Sequence, residues 1–104
     1  PRLTLRRMGW ATDARDTLIN GASVTVRPRG GSMRGLIEDG QDVTLDPVAP
    51  EELAPGDVVF VRWKGGFLLH LVKEANDTQL LIGNNLGKIN GWVARGDVLG
   101  RARR

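Results

Sequence analysis

Two apolar runs separated by a very short gap restrict the fold of this chain more than any other feature. Val58–Trp63, "VVFVRW", is rich in β-branched and aromatic residues, a composition that suits a pleated, half-buried strand. Phe67–Glu74, "FLLHLVKE", follows after only "KGG", and a gap that short between two strands is a hairpin turn. The rest of the chain repeats the theme. Fourteen glycines and five prolines punctuate short apolar runs, which argues for strands and turns over a helix bundle.

The alternation of Val24 and Val26 with Thr25 and Arg27 predicts a strand within Ser23–Pro28. "DVTLDPV", Asp42–Val48, predicts another, and "LLIG", Leu80–Gly83, a third after the turn at Asn76–Gln79. "NNLGKINGW" reads as a loop, and a final strand is expected near Asp97–Ala102. One helix is predicted over Thr12–Asn20, capped by Thr12 or Asp13 and ended by Gly21. Leu18 and Ile19 would face the core. Six or seven short strands at close spacing predict a mostly β fold, a compact barrel or sandwich with one short N-terminal helix. The 104 residues amount to one domain. Residues 1–22 form a basic segment with the helix, and residues 23–104 the β domain.

Composition excludes several kinds of chemistry. With no cysteine, disulfides and thiolate metal sites are ruled out. A single histidine leaves too few nitrogen ligands for zinc, and no cofactor is expected. The longest apolar run, Phe67–Val72, falls far short of the ~20 residues that span a bilayer. No secretory leader pattern is visible. The expectation is a soluble, cytoplasmic protein without a membrane span. The net charge is +3, and arginines gather at both ends: Arg2, Arg6 and Arg7, then Arg101, Arg103 and Arg104. Basic ends either are simply solvated or attract nucleic acid. The segment before Val24 is too short for a helix-turn-helix domain, so nucleic acid is not expected as a partner without a further domain.

One turn stands out chemically. "RPRGGSMRGLIEDG", Arg27–Gly40, places Ser32 directly after two glycines and before Met33. A serine hydroxyl becomes a nucleophile only with a base in reach and donors for the developing oxyanion. A glycine turn supplies such backbone N–H groups and leaves room for a substrate chain. As a plain turn, the same residues need no catalytic role. His70, in "FLLHLVK", is the one histidine; alternation places it on a face with Leu68 and Val72. Apolar neighbours favour the neutral imidazole, which suits a general base and equally suits a half-buried structural histidine. Lys73 is the competing base, on the opposite face of a regular strand. Glu38, Asp39, Asp57 and Asp97 stand near turns or strand starts, where carboxylates bond backbone N–H groups. Asp97 is kept as a group that would orient His70.

The order "GGSM…LIEDGQDVTLDP…LAPGDVVFVRW…FLLHLVK…IGNN…GDVLGRA" resembles the LexA/signal-peptidase superfamily of serine peptidases over Val24–Ala102. In that superfamily a glycine–serine–methionine turn carries the nucleophile, and a lysine or histidine in a later strand is the base. Position by position, the resemblance implies Ser32 as nucleophile, His70 as base, and backbone N–H groups of Ser32 and Met33 as the oxyanion hole. It is similar to the Ser–His members rather than the Ser–Lys ones. The chain departs from the pattern in three places. "SMRG" lacks the proline that usually follows, "GQD" replaces "GD", and "GNN" followed by "LGKING" replaces an acidic loop. Asn84, Asn85 or Asn90 would then stand where an acid orients the base, and a neutral amide stabilises an imidazolium less than a carboxylate does.

The resemblance implies a serine endopeptidase, a hydrolase acting on a protein or peptide through a Ser32–His70 dyad and able to form a homodimer. Two alternatives remain open: a regulatory or protein-binding module that keeps the fold without catalysis, and a nucleic-acid-associated regulator.

Overall fold

A computed structural model describes residues 2–29, 33 and 35–103, with side chains of the helix from Trp10 onward. One helix, α1 (Arg2–Ile19), precedes seven strands: β1 (Val24–Val26), β2 (Val43–Asp46), β3 (Val58–Trp63), β4 (Gly66–Ala75), β5 (Gln79–Gly83), β6 (Ile89–Ala94) and β7 (Val98–Ala102). Short 3-10 turns at Pro50–Glu52 and Arg95–Asp97 lead into β3 and β7. The strands form one sheet in the order β1-β2-β7-β3-β4-β5-β6, and every pairing is antiparallel. The fold is thus mostly β with one N-terminal helix.

The hairpin that dominates the sequence is also the longest ladder. Six consecutive pairs join β3 to β4, from Val58↔Leu71 to Trp63↔Gly66. Between them Lys64 and Gly65 both take positive φ, 46° and 80°. That makes a two-residue type I′ turn, whose twist matches that of the flanking strands.

Strand alternation sorts the ladder into two cores. Phe60, Leu69 and Leu71 lie on one face, against Leu45, Met33 and the helix residues Ala14 and Leu18. Val59, Val61 and Val72 lie on the other, against Leu80, Ile82 and Val98. Phe60 anchors the first cluster, stacked on Phe67 at 5.2 Å and tilted toward Trp10 at 5.7 Å, separations that favour ring–ring contact.

Three expectations need correction. The helix begins at Arg2, ten residues ahead of Thr12; residues 2–11 are mostly good helix formers, so no cap at Thr12 is needed to start it. It ends as expected at Gly21, with φ 85°. Leu18 is buried, but Ile19 is 60% exposed. Consecutive residues are turned by about 100° on a helix, so only one of them can join the stripe of Ala11, Ala14 and Leu18. The "loop" after Gly83 contains β6, paired with β5 from Gln79↔Ala94 to Gly83↔Ile89. Asn90 and Gly91 within the strand hide the alternation, and one register shift absorbs an extra residue near Asn90.

Candidate functional site

Ser32 lies outside the described residues, and so do Gly30, Gly31 and Arg34. The framework that holds their segment is described. Gly40 N–H donates to the Pro28 carbonyl at 3.0 Å, closing residues 28–40 into a loop. Inside it, Leu36 and Ile37 donate to the Met33 carbonyl at 2.9 and 2.7 Å. Gly35 N–H donates to the Glu38 carboxylate at 2.8 Å, and Glu38 N–H to the Gln41 side chain at 2.9 Å. The Met33 side chain is buried in the first cluster. The described residues of the loop, Pro28, Met33 and those from Gly35 to Gln41, are tied together by these hydrogen bonds, with Met33 as an apolar anchor.

The loop between β5 and β6 comes up beside this turn. A Cβ placed on Gly35 would lie 3.1 Å from Asn85 Nδ2. Asn84, buried at 8% exposure, organises the same loop. Its Oδ1 accepts from Leu86 N–H at 2.8 Å and from Lys88 N–H at 2.9 Å, and its own N–H donates to the Lys88 carbonyl. The Asn84 side chain acts as a cap for the loop.

His70 reaches the same level of the sheet from β4. It pairs with Val59 and precedes Leu71, which pairs with Gly83; Asn84 follows Gly83. His70 is half-buried and shares the face of Leu68, Val72 and Val59, the second cluster. Burial first, and the positive charge of Lys88 second, hold its pKa below the ordinary value of 6.5. The neutral ring therefore prevails at neutral pH. Its Nδ1 is buried and has no hydrogen-bond partner among the described residues.

Lys73, the competing base, sits in the bulge between Val72 and Glu74. Its stem lies against Gly83, on the face of Leu71, and its Nζ donates to the Asn84 carbonyl at 3.1 Å. It stands away from the His70 face, as strand alternation predicts. Asp97 lies in the turn before β7, beside the β3–β4 hairpin end, where it lines a depression with Arg62 and Phe67. No hydrogen bond joins Asp97, Asn84 or Asn85 to His70 Nδ1. Asn90 Oδ1 is also buried without a partner among the described residues. Asp57 is buried and caps the start of β3, its Oδ2 accepting from Ala54 N–H at 3.0 Å.

A cleft of about 460 Å³ opens beside the exit of the serine turn, with Leu36, Ile37, Val43, Val58 and Ala102 in its walls. Its charged rim residues are neutralised: Asp42 pairs with Arg27 at 2.8 Å and Arg103 with Asp46 at 2.6 Å. Gln41 and Thr44 also line the cleft, so its wall offers a ligand both apolar and polar contacts. Among the described residues no group of acidic, histidine or cysteine side chains is placed to hold a metal ion, and no helix is long and apolar enough to cross a membrane.

Sequence reasoning did not find Lys88, the cation that acts on His70. Its influence depends on how the loop returns after Asn84, and nothing in local composition encodes that. The capping role of Asn84 had a signal, an asparagine two residues ahead of a loop with glycine, but the signal reads as a turn rather than as a neighbour of His70. No protein-family model matches the chain, and none of the curated proteins and none of the solved structures matches it.

Proposed function

We propose that the chain is a serine endopeptidase domain of the LexA/signal-peptidase type, with Ser32 as nucleophile and His70 as general base. The observation that carries the reading is the state of His70: a half-buried imidazole whose pKa is lowered by burial and by Lys88. A base that is neutral at pH 7 can take the serine proton as the oxygen attacks a peptide carbonyl, and can return it to the leaving amine. The loop of Asn84 and Asn85, which begins at the level of His70, lies beside Gly35 of the serine turn. The cleft at Leu36 and Ile37 would take a side chain of an extended peptide. A cytoplasmic location belongs to the same reading.

A fluorophosphonate probe tests it. Labelling of the wild type, lost in both Ser32→Ala and His70→Ala, is the expected result. Labelling that survives Ser32→Ala, or none at all, overturns it.

A second reading rests on the bare Nδ1 of His70. Without a carboxylate to orient the ring and steady the imidazolium, the domain would bind a peptide in this cleft without cutting it. Peptide binding without labelling selects that module.

A further inference from the structure

The loop Asn84–Lys88 stands between the two halves of the proposed site. At its far end the charge of Lys88 acts on the His70 ring. Near its start Asn85 reaches the serine turn: a Cβ on Gly35 would lie 3.1 Å from Asn85 Nδ2. The amide is thus in contact with the turn at a residue that follows Ser32 closely. Gly35 has φ 97°, a left-handed conformation that glycine adopts without strain. Conformation and close approach both call for glycine at this position.

Both sides of this contact are anchored. Gly83, which leads into the loop, pairs with Leu71, the neighbour of His70 on β4. Asn84 then accepts from Leu86 and Lys88 N–H through its side chain, so Asn85 is flanked by bonded residues. On the other side, Gly35 N–H donates to the Glu38 carboxylate at 2.8 Å, and Leu36 N–H to the Met33 carbonyl at 2.9 Å. A side-chain amide carries two N–H donors and an acceptor oxygen, a set that suits a backbone turn. No hydrogen bond joins Asn85 to His70 Nδ1; its amide nitrogen lies at the turn instead.

We propose that Asn85 is a positioning residue for the serine turn: carried on the loop that Asn84 caps, its side chain grips the turn beside Gly35 and so sets where Ser32 stands relative to β4, the strand of His70. The catalytic consequence rests on the peptidase reading; the grip itself does not. An aspartate in this place would keep the shape of the side chain but lose both donors. It would also set a second carboxylate against Gly35, whose N–H is already bound by that of Glu38. Aspartate should therefore release the turn as alanine does.

The test compares the full chain with Asn85→Ala and Asn85→Asp by fluorophosphonate labelling, by amide hydrogen exchange and by Tm. In both variants the maximal labelling rate should fall at least about tenfold, the loss expected when a nucleophile is misplaced. The probe concentration giving half of that rate, and the pH midpoint set by His70, should stay as in the wild type. Exchange at the Gly35 and Leu36 amides should quicken several-fold, with Tm held within about 4 °C. Labelling at the wild-type rate in both variants overturns the positioning role, whatever the exchange shows. So does a larger fall in Tm with exchange raised throughout the Asn84–Lys88 loop, which would make Asn85 a support of its own loop only. If the wild type takes no label, the peptidase reading fails and exchange alone decides the grip: quickening confined to Gly35 and Leu36 supports it, and wild-type exchange there overturns it.

Discussion

Gly83 lies so close beneath the carbonyl of Lys88 that a Cβ on Gly83 would overlap the oxygen, while also pressing on Lys73 Cγ at 3.3 Å. The obstruction on one side is backbone, held by the bond from Asn84 N–H to that same carbonyl at 2.9 Å. It cannot swing away as a side-chain end would. Gly83→Ala should therefore pry the Asn84–Lys88 loop off β5 and cost about 1–3 kcal/mol, the usual range for overpacking. Urea unfolding measures it. A cost near zero would show that the loop yields freely and that its position beside the serine turn is not fixed.

Leu18 and Ile19 test how the helix lies on the sheet. Leu18 is buried at 4% exposure, and its Cδ1 would be 2.9 Å from a Cβ on Gly100 of β7. Truncating it leaves a cavity between helix and sheet, so Leu18→Ala should cost about 2–5 kcal/mol. Ile19→Ala should stay within about 0.5 kcal/mol, as surface changes usually do. Similar costs for the two would mean that the helix is rotated from the position described.

The strands were most legible where β-branched and aromatic residues form continuous runs. Val58–Trp63 was predicted with the bounds it has, because the residues from Val59 to Val61 are buried on both faces and only Arg62, near the turn, is exposed. β6 escaped notice because its sequence, "INGWVA", carries the glycine and asparagine of a turn. The glycine is required by a neighbour, not by a turn: a Cβ on Gly91 would lie 3.1 Å from Trp63 Cη2. At the candidate site, alternation placed His70 with Leu68 and Val72 and set Lys73 on the other face. It could not place Asp97, whose distance from His70 follows from the order of β7, β3 and β4 in the sheet. That order depends on pairings between residues about 40 positions apart in the chain, such as Val59↔Arg101, and such contacts leave no local trace.

Asp46 should titrate at about 2, well below its ordinary 3.8. The main cause is the Arg103 guanidinium, whose Nε and Nη2 donate to the two carboxylate oxygens at 3.0 and 2.6 Å; the Ser23 hydroxyl adds a further donor. A lowered carboxylate pKa favours the folded state above the unfolded value, and that contribution fades as pH falls from 3.8 toward about 2. In a carbon-13 NMR titration, Arg103→Ala should return Asp46 most of the way to 3.8, and Ser23→Ala should raise it less. An Asp46 that titrates normally in the wild type would show that the ion pair does not persist in water.

His70 gives the corresponding test in the neutral range. Its folded pKa lies below 6.5, through burial first and the charge of Lys88 second, while an unfolded chain has the ordinary value. As pH falls through 6.5 the unfolded state takes up a proton that the folded state still refuses. Stability is therefore complete above 6.5 and declines below it, levelling once the folded ring is protonated too. Being the single histidine of the chain, its ring gives one unambiguous NMR signal. Lys88→Ala should raise the folded pKa by removing the repulsive charge, though not to 6.5, because burial remains. His70→Gln should abolish this step in stability between neutral pH and the folded pKa. If Lys88→Ala leaves the titration unmoved, the lysine does not act on the ring, and burial alone keeps the proposed base neutral.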